Sequence, residues 1–126
     1  EPRPSLSYGE RAPGPGLHIM ETQTEHWTET LTGLAATGVE LMLAHAGEHP
    51  LQGHPLVPLL QFSADERVRV HFGQDIDLVL DGDPDGWAEQ LLDLLARAAS
   101  RRYEAKVRRQ GNADFQFSRG LLGVSM

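Results

Sequence analysis

The stretch Val39–Phe62 reads VELMLAHAGEHPLQGHPLVPLLQF. Val39–Ala44 is an apolar run broken only by Glu40, and Leu59–Phe62 resumes an apolar run further on. Short, nearly continuous apolar runs are the mark of strands buried on both faces, as in a parallel sheet. Between them lie His45, Glu48, His49, His54, two glycines and the prolines Pro50, Pro55 and Pro58. Proline lacks a backbone donor and resists helical geometry, so this middle part reads as a loop.

Working upstream, Leu17–Met20 is a short apolar-rich run compatible with a first strand. Thr22-Gln-Thr-Glu25 has the spacing of a capping box, in which a hydroxyl and a carboxylate satisfy free amides at a helix start. Trp27, Leu31, Leu34 and Ala35 follow at helical spacing, and Gly38 is placed to stop the helix. Residues 1–16 hold four of the eight prolines and three glycines, and read as an extended linker or arm that contributes little to the fold.

Downstream, Val68, Val70 and Phe72 alternate with Arg67, Arg69 and His71, a strand period, while Ser63-Ala-Asp65-Glu66 before them looks like a helix start. Ile76–Leu80 is a further strand candidate. Asp83 as N-cap and Pro84 at the first helical position open a helix with Trp87, Leu91, Leu94, Leu95 and Ala98 on one face, running to about Ser100. The basic stretch to Arg109 either extends it or forms a second short helix. Phe115, Phe117, Leu121 and Leu122 in the tail are available for docking. Strands alternating with helices predict a compact three-layer α/β domain, with a mostly parallel sheet of about four strands and helices on both faces.

Composition narrows the functional classes. A chain of 126 residues has room for one domain with a substantial core. A formal charge of −7 argues against non-specific binding to nucleic acid or to an anionic membrane. There are no cysteines, which excludes disulfides, thiolate metal sites and cysteine nucleophiles. No apolar run approaches the ~18 residues of a membrane span.

Three features invite a site assignment. Asp81-Gly-Asp-Pro-Asp85-Gly86 imitates the first half of a calcium loop, but its twelfth position is Leu92 where a bidentate carboxylate is required. It reads as a turn with an N-cap. Arg97, Arg101, Arg102, Lys106, Arg108 and Arg109 carry six of the eleven basic residues, suited either to an anionic partner or to a solvated helix end whose cations complement the dipole. His45, His49 and His54 could ligate a divalent metal with Glu48 or Glu40, although their spacing matches no closed zinc motif. There is no G-x-S-x-G element and no phosphate-binding glycine loop.

Taken in order, several fragments resemble the C-terminal region of altronate and D-galactarate dehydratases. These are Leu6-Ser-Tyr-Gly-Glu10, Gly16-Leu-His-Ile-Met-Glu-Thr22 and Thr32-Gly-Leu-Ala-Ala-Thr-Gly-Val-Glu-Leu-Met-Leu43. The family's T-G-R-G loop, G-x-x-x-x-P-x-I-K segment and D-M-D-I-N element correspond to Ala46-Gly-Glu-His49, Gly53-His-Pro-Leu-Val-Pro-Leu-Leu-Gln61 and Asp75-Ile-Asp-Leu-Val79. The last helix and Asp114-Phe-Gln-Phe117 also fall in family order, so the resemblance covers nearly the whole chain.

The resemblance implies a hydro-lyase that removes water from a sugar acid with help from a divalent metal, iron or similar, in the full-length cytoplasmic protein. It implies that residues 17–126 are a C-terminal α/β domain, joined by the arm 1–16 to preceding catalytic domains of the same chain. Alone, the domain is expected to be inactive and to hold no cofactor. The substrate-facing loop would comprise Gly47, Glu48, His49, Gly53 and Gln61, with His45 and His49 as metal-ligand candidates. Glu48 stands at the family's arginine position, Gln61 at its lysine and Val79 at its asparagine. These departures leave open a catalytically silent assembly module, and the histidines leave open a free-standing metal-binding domain. The resemblance also favours a helix over Asp65–Phe72.

Overall fold

The structure is a computed structural model and describes residues 5–22 and 25–116. Two apolar runs of the opening stretch become neighbouring strands, β1 (Met42–His45) and β2 (Leu59–Ser63), and β3 (Leu78–Val79) completes a parallel sheet of order β1-β2-β3. Met42 pairs with Leu59 and His45 with Phe62, and on the other side Phe62 pairs with Leu78 and Ser63 with Val79.

The central strand explains the unbroken hydrophobic run. Neighbouring residues of a strand point to opposite faces, and Leu59 and Leu60 are 1% and 0% exposed, so β2 is covered on both sides. The main core joins them to Leu31, Met42, Leu94, Ala105 and Val107. A smaller cluster of Ala46, Val68 and Ile76 is backed by Phe72 and Val79.

Three strands form where about four were expected. Leu17–Met20 does not join the sheet: Met20 makes only an isolated parallel bridge to Leu6, and Leu17 and Ile19 are 89% and 70% exposed. Its two exposed apolar side chains gain nothing from a sheet, while the half-buried His18 and Met20 pack on the arm, where the Gly9 amide donates to Met20 Sδ at 3.4 Å.

Helix α1 (Trp27–Ala36) begins after His26, which makes no side-chain cap. The capping box expected at Thr22–Glu25 therefore does not cap this helix; Gln23 and Thr24 lie outside the described residues, as do Phe117, Leu121 and Leu122. The indole of Trp27 donates instead to the Gln52 carbonyl at 2.6 Å, so a tertiary contact anchors this end. Gly38, at φ +98°, ends the helix as expected.

The ambiguous segment is helix α2 (Glu66–Phe72), where the strand-like alternation loses to the start signal. The Asp65 carboxylate caps it by accepting from the Arg67 amide at 2.7 Å. A turn of 3-10 helix at Pro84–Gly86, capped by Asp83, leads into α3 (Trp87–Ala99).

Helix α3 ends in a Schellman arrangement: the Arg102 amide donates to the Arg97 carbonyl at 2.8 Å and the Arg101 amide to Ala98 at 3.0 Å. Arg101 takes φ 58°, where glycine is usual. A side chain in this conformation costs on the order of 1 kcal/mol. The basic stretch thus forms a separate short helix, α4 (Lys106–Arg109), whose Val107 enters the core.

Residues 5–16, the described part of the segment expected to be an extended linker or arm, are laid along α1. The Tyr8 hydroxyl donates to the Glu29 carbonyl at 2.6 Å, and its ring covers Gly33 so closely that a Cβ there would come within 2.4 Å of Tyr8 Cε2. Leu6 is buried, and the Ala12 amide donates to the Thr37 carbonyl at 3.1 Å. Prolines and glycines bend the arm, while one aromatic ring and one leucine fasten it.

Candidate functional site

All three parallel strands deliver their carboxyl ends to one edge, where ligand-facing loops of open α/β sheets lie. After β1 come Ala46, Gly47, Glu48 and His49; after β2 come Ala64, Asp65 and the start of α2; after β3 come Leu80 and Asp81. Ala46 and Leu80 are buried, with amides donating to Phe62 and Ser63 carbonyls at 2.8 Å, so both crossings leave from fixed positions.

On this rim Gly47, Glu48 and His49 are exposed. His45 is also exposed, its ring tilted 55° against Phe62 with centroids 5.4 Å apart. Arg67 forks onto Asp65, with Nη2–Oδ2 at 3.0 Å and Nε–Oδ1 at 3.3 Å. Those bonds to Arg67 hold the Asp65 carboxyl down to about 2. Asp65 raises the Arg67 guanidinium in return, with a smaller push from the charge of Glu48. Arg69 pairs with Glu66 at 2.7 Å and senses Asp81. The rim is therefore a set of carboxylates interleaved with two guanidinium groups, able to meet a polar ligand through charge-assisted hydrogen bonds.

The other expected site residues go inward. Gln61 is fully buried, and its side-chain amide clasps the Leu51 backbone: Oε1 accepts from Leu51 N at 2.6 Å and Nε2 donates to Leu51 O at 3.0 Å. Gly53 is buried beneath Val107, whose Cγ1 would lie 2.9 Å from an added Cβ. Its amide donates to Asn112 O at 2.9 Å, and its carbonyl accepts from Asp114 N at 3.1 Å. Gln61 and Gly53 thus hold the loop in place, and the structure separates them from Gly47, Glu48 and His49.

His54 is buried too. Its Nδ1 accepts from the amides of Leu56 and Val57, both at 3.3 Å, and burial pushes its pKa down, favouring the neutral ring that can accept. It stands apart from His45 and His49 in role. Among the described residues no three His, Cys, Asp or Glu side chains converge in a way that could hold a metal ion.

Asp77 and Tyr103 emerge only from the structure. The Asp77 carboxylate accepts from Gln61 N at 2.7 Å, and from Tyr103 OH and Lys106 N at 2.8 Å each. Burial, then the bond to Asp77, then its charge push the Tyr103 phenol up to about 12. Arg97 lies over the Tyr103 ring at 5.5 Å and pairs with Asp93 at 2.9 Å, while Lys106 Nζ donates to the Ile76 carbonyl at 2.7 Å. Part of the basic stretch is therefore spent in fastening residues 103–107 to the sheet. The signal in the sequence was an aspartate inside the apolar run Ile76–Leu80.

The family described as D-galactarate/Altronate dehydratase, C-terminal, matches residues 4–121 of the chain. No curated protein matches it. Among the described residues no helix is long and apolar enough to cross a membrane.

Proposed function

The chain belongs to the D-galactarate/altronate dehydratase C-terminal family, and on that premise we propose that it is the C-terminal domain of a cytoplasmic sugar-acid hydro-lyase. The observation that carries this reading is the span of the match, residues 4–121 of 126. In it, the rim Gly47–His49 and the α2 start form one wall of a site whose chemistry is completed by preceding catalytic domains of the same protein.

Dehydration of a sugar acid needs a base for the proton beside the carboxylate and an acid for the departing hydroxyl. His45, Glu48 and His49 are exposed groups of the right type on this wall. A divalent metal would polarise substrate oxygens in such a reaction. The described residues do not fit a complete metal site, since no three ligand side chains converge. In this reading the metal belongs to the preceding domains, and no step here is routed through it.

A second reading, a catalytically silent assembly module, draws on Gln61 and Glu48. The first is sealed in the interior, and the second sets a negative charge where an anionic substrate would meet the loop. One comparison separates the readings. The chain joined to its preceding domains should dehydrate galactarate or altronate, and Glu48→Ala with His49→Ala should lower that turnover by roughly tenfold or more. Unchanged turnover would favour the silent module, and turnover by the 126-residue chain alone would overturn the shared-site reading.

A further inference from the structure

Helix α3 buries Leu94 and half-buries Trp87, Leu91, Leu95 and Ala98. At 3.6 residues per turn its opposite face carries Ala88, Leu92, Ala96 and Ala99, all exposed, with Leu92 at 64%. The charges beside this apolar stripe are sorted by end. Asp81, Asp83, Asp85 and Glu89 are exposed at its start, and Arg101 and Arg102 at its finish. Arg101 reaches that position through a left-handed backbone, and among the described residues it pairs with no carboxylate. A helix dipole accounts for the sorting, but not for the exposed leucine between the two ends.

Apolar centre and opposite charged ends together make a self-complementary surface. We propose that this face of α3 is a twofold interface with a second copy of the chain, the two helices running antiparallel. With the axis at the level of Asp93, the middle of the helix, residue 85 of one copy lies level with 101 of the other, and 89 with 97. Leu92 then meets its counterpart across the axis, while Asp85 faces the second copy's Arg101 at both ends and Glu89 adds to the negative charge beside it. The alanines allow the helices to approach within the ~8–10 Å of ordinary helix packing. Such a contact is isologous, so it closes as a dimer and does not propagate. It is independent of the activity proposed above.

One helix face is a small interface, and dissociation in the micromolar range is expected. Sedimentation of the 126-residue chain at tens of micromolar and near-physiological salt should give the mass of a dimer. Leu92→Glu should give a monomer with an unchanged circular-dichroism melt, because this side chain does not enter the fold. Arg101→Glu with Arg102→Glu should be monomeric, as should Asp85→Lys with Glu89→Lys, since each makes both ends alike in charge. Mixed in equal amounts, these two variants should form a dimer again. A monomeric parent chain, a dimer that survives Leu92→Glu, or a mixture that stays monomeric would each overturn the proposal.

Discussion

Two halves of one loop behave in opposite ways. Residues 47–49 and 51–57 each hold a glycine, a histidine and one further polar side chain, yet Gly47, Glu48 and His49 face solvent while Gly53 and His54 are buried. Backbone groups of Leu51, Gln52 and Gly53 are engaged by Gln61, Trp27, Asn112 and Asp114, and His54 turns its ring nitrogen back on the loop itself. The first half is held only by its ends. A polar side chain in a loop is free for a ligand when no buried backbone group claims it, and the claim is decided by what packs alongside.

The largest break in this contrast should come from Gln61→Ala. It strands the Leu51 amide and carbonyl in the interior and leaves a void, a combination worth about 3 kcal/mol. Chemical denaturation should show that loss, and hydrogen exchange should speed up at Leu51 while Leu6 and Glu21 keep their protection.

A smaller effect is expected in alkali at the clasp around Asp77. The Tyr103 phenol is pushed up to about 12, so the folded state favours the protonated ring. Its contribution is fully present below the ordinary tyrosine value near 10 and is lost as pH rises from there through about 12. Burial also pushes the Tyr8 phenol up, so spectrophotometric titration should show both tyrosines late, and the component near about 12 should be the one lost in Tyr103→Phe. A Tyr103→Phe variant that loses a component near the ordinary tyrosine value of about 10 would place Tyr103 outside the clasp.

The smallest effect belongs to the rim. Glu48→Gln and His49→Ala should each shift unfolding by less than about 0.5 kcal/mol, because neither side chain carries a buried contact. A thermal melt checks this directly. Losses comparable to that of Gln61→Ala would erase the distinction between the two halves.

The comparison also marks how far the residues alone could be read. The strands around the loop, the helix from Pro84 and the breaks at Gly38 and Asp83 follow from local causes: apolar runs, caps and φ preferences. The expectation of a fourth strand at Leu17–Met20 rested on apolarity without a partner surface, and the structure leaves Leu17 and Ile19 in solvent. The arm looked idle because prolines dominate it, while its attachment depends on Tyr8 meeting Gly33 across the chain.

The α/β class, the position of the loop between two buried strands and the family to which the chain belongs were legible from the residues alone, since these depend on neighbours along the chain and on ordered motifs. That Glu48 and His49 stay on the rim while Gln61 and Gly53 become fasteners, and that Asp77 gathers Gln61, Tyr103 and Lys106, was settled by packing. Each of those outcomes joins residues far apart in the chain, where hydrogen bonding must satisfy backbone groups removed from water, and no local pattern announces which side chain will do so.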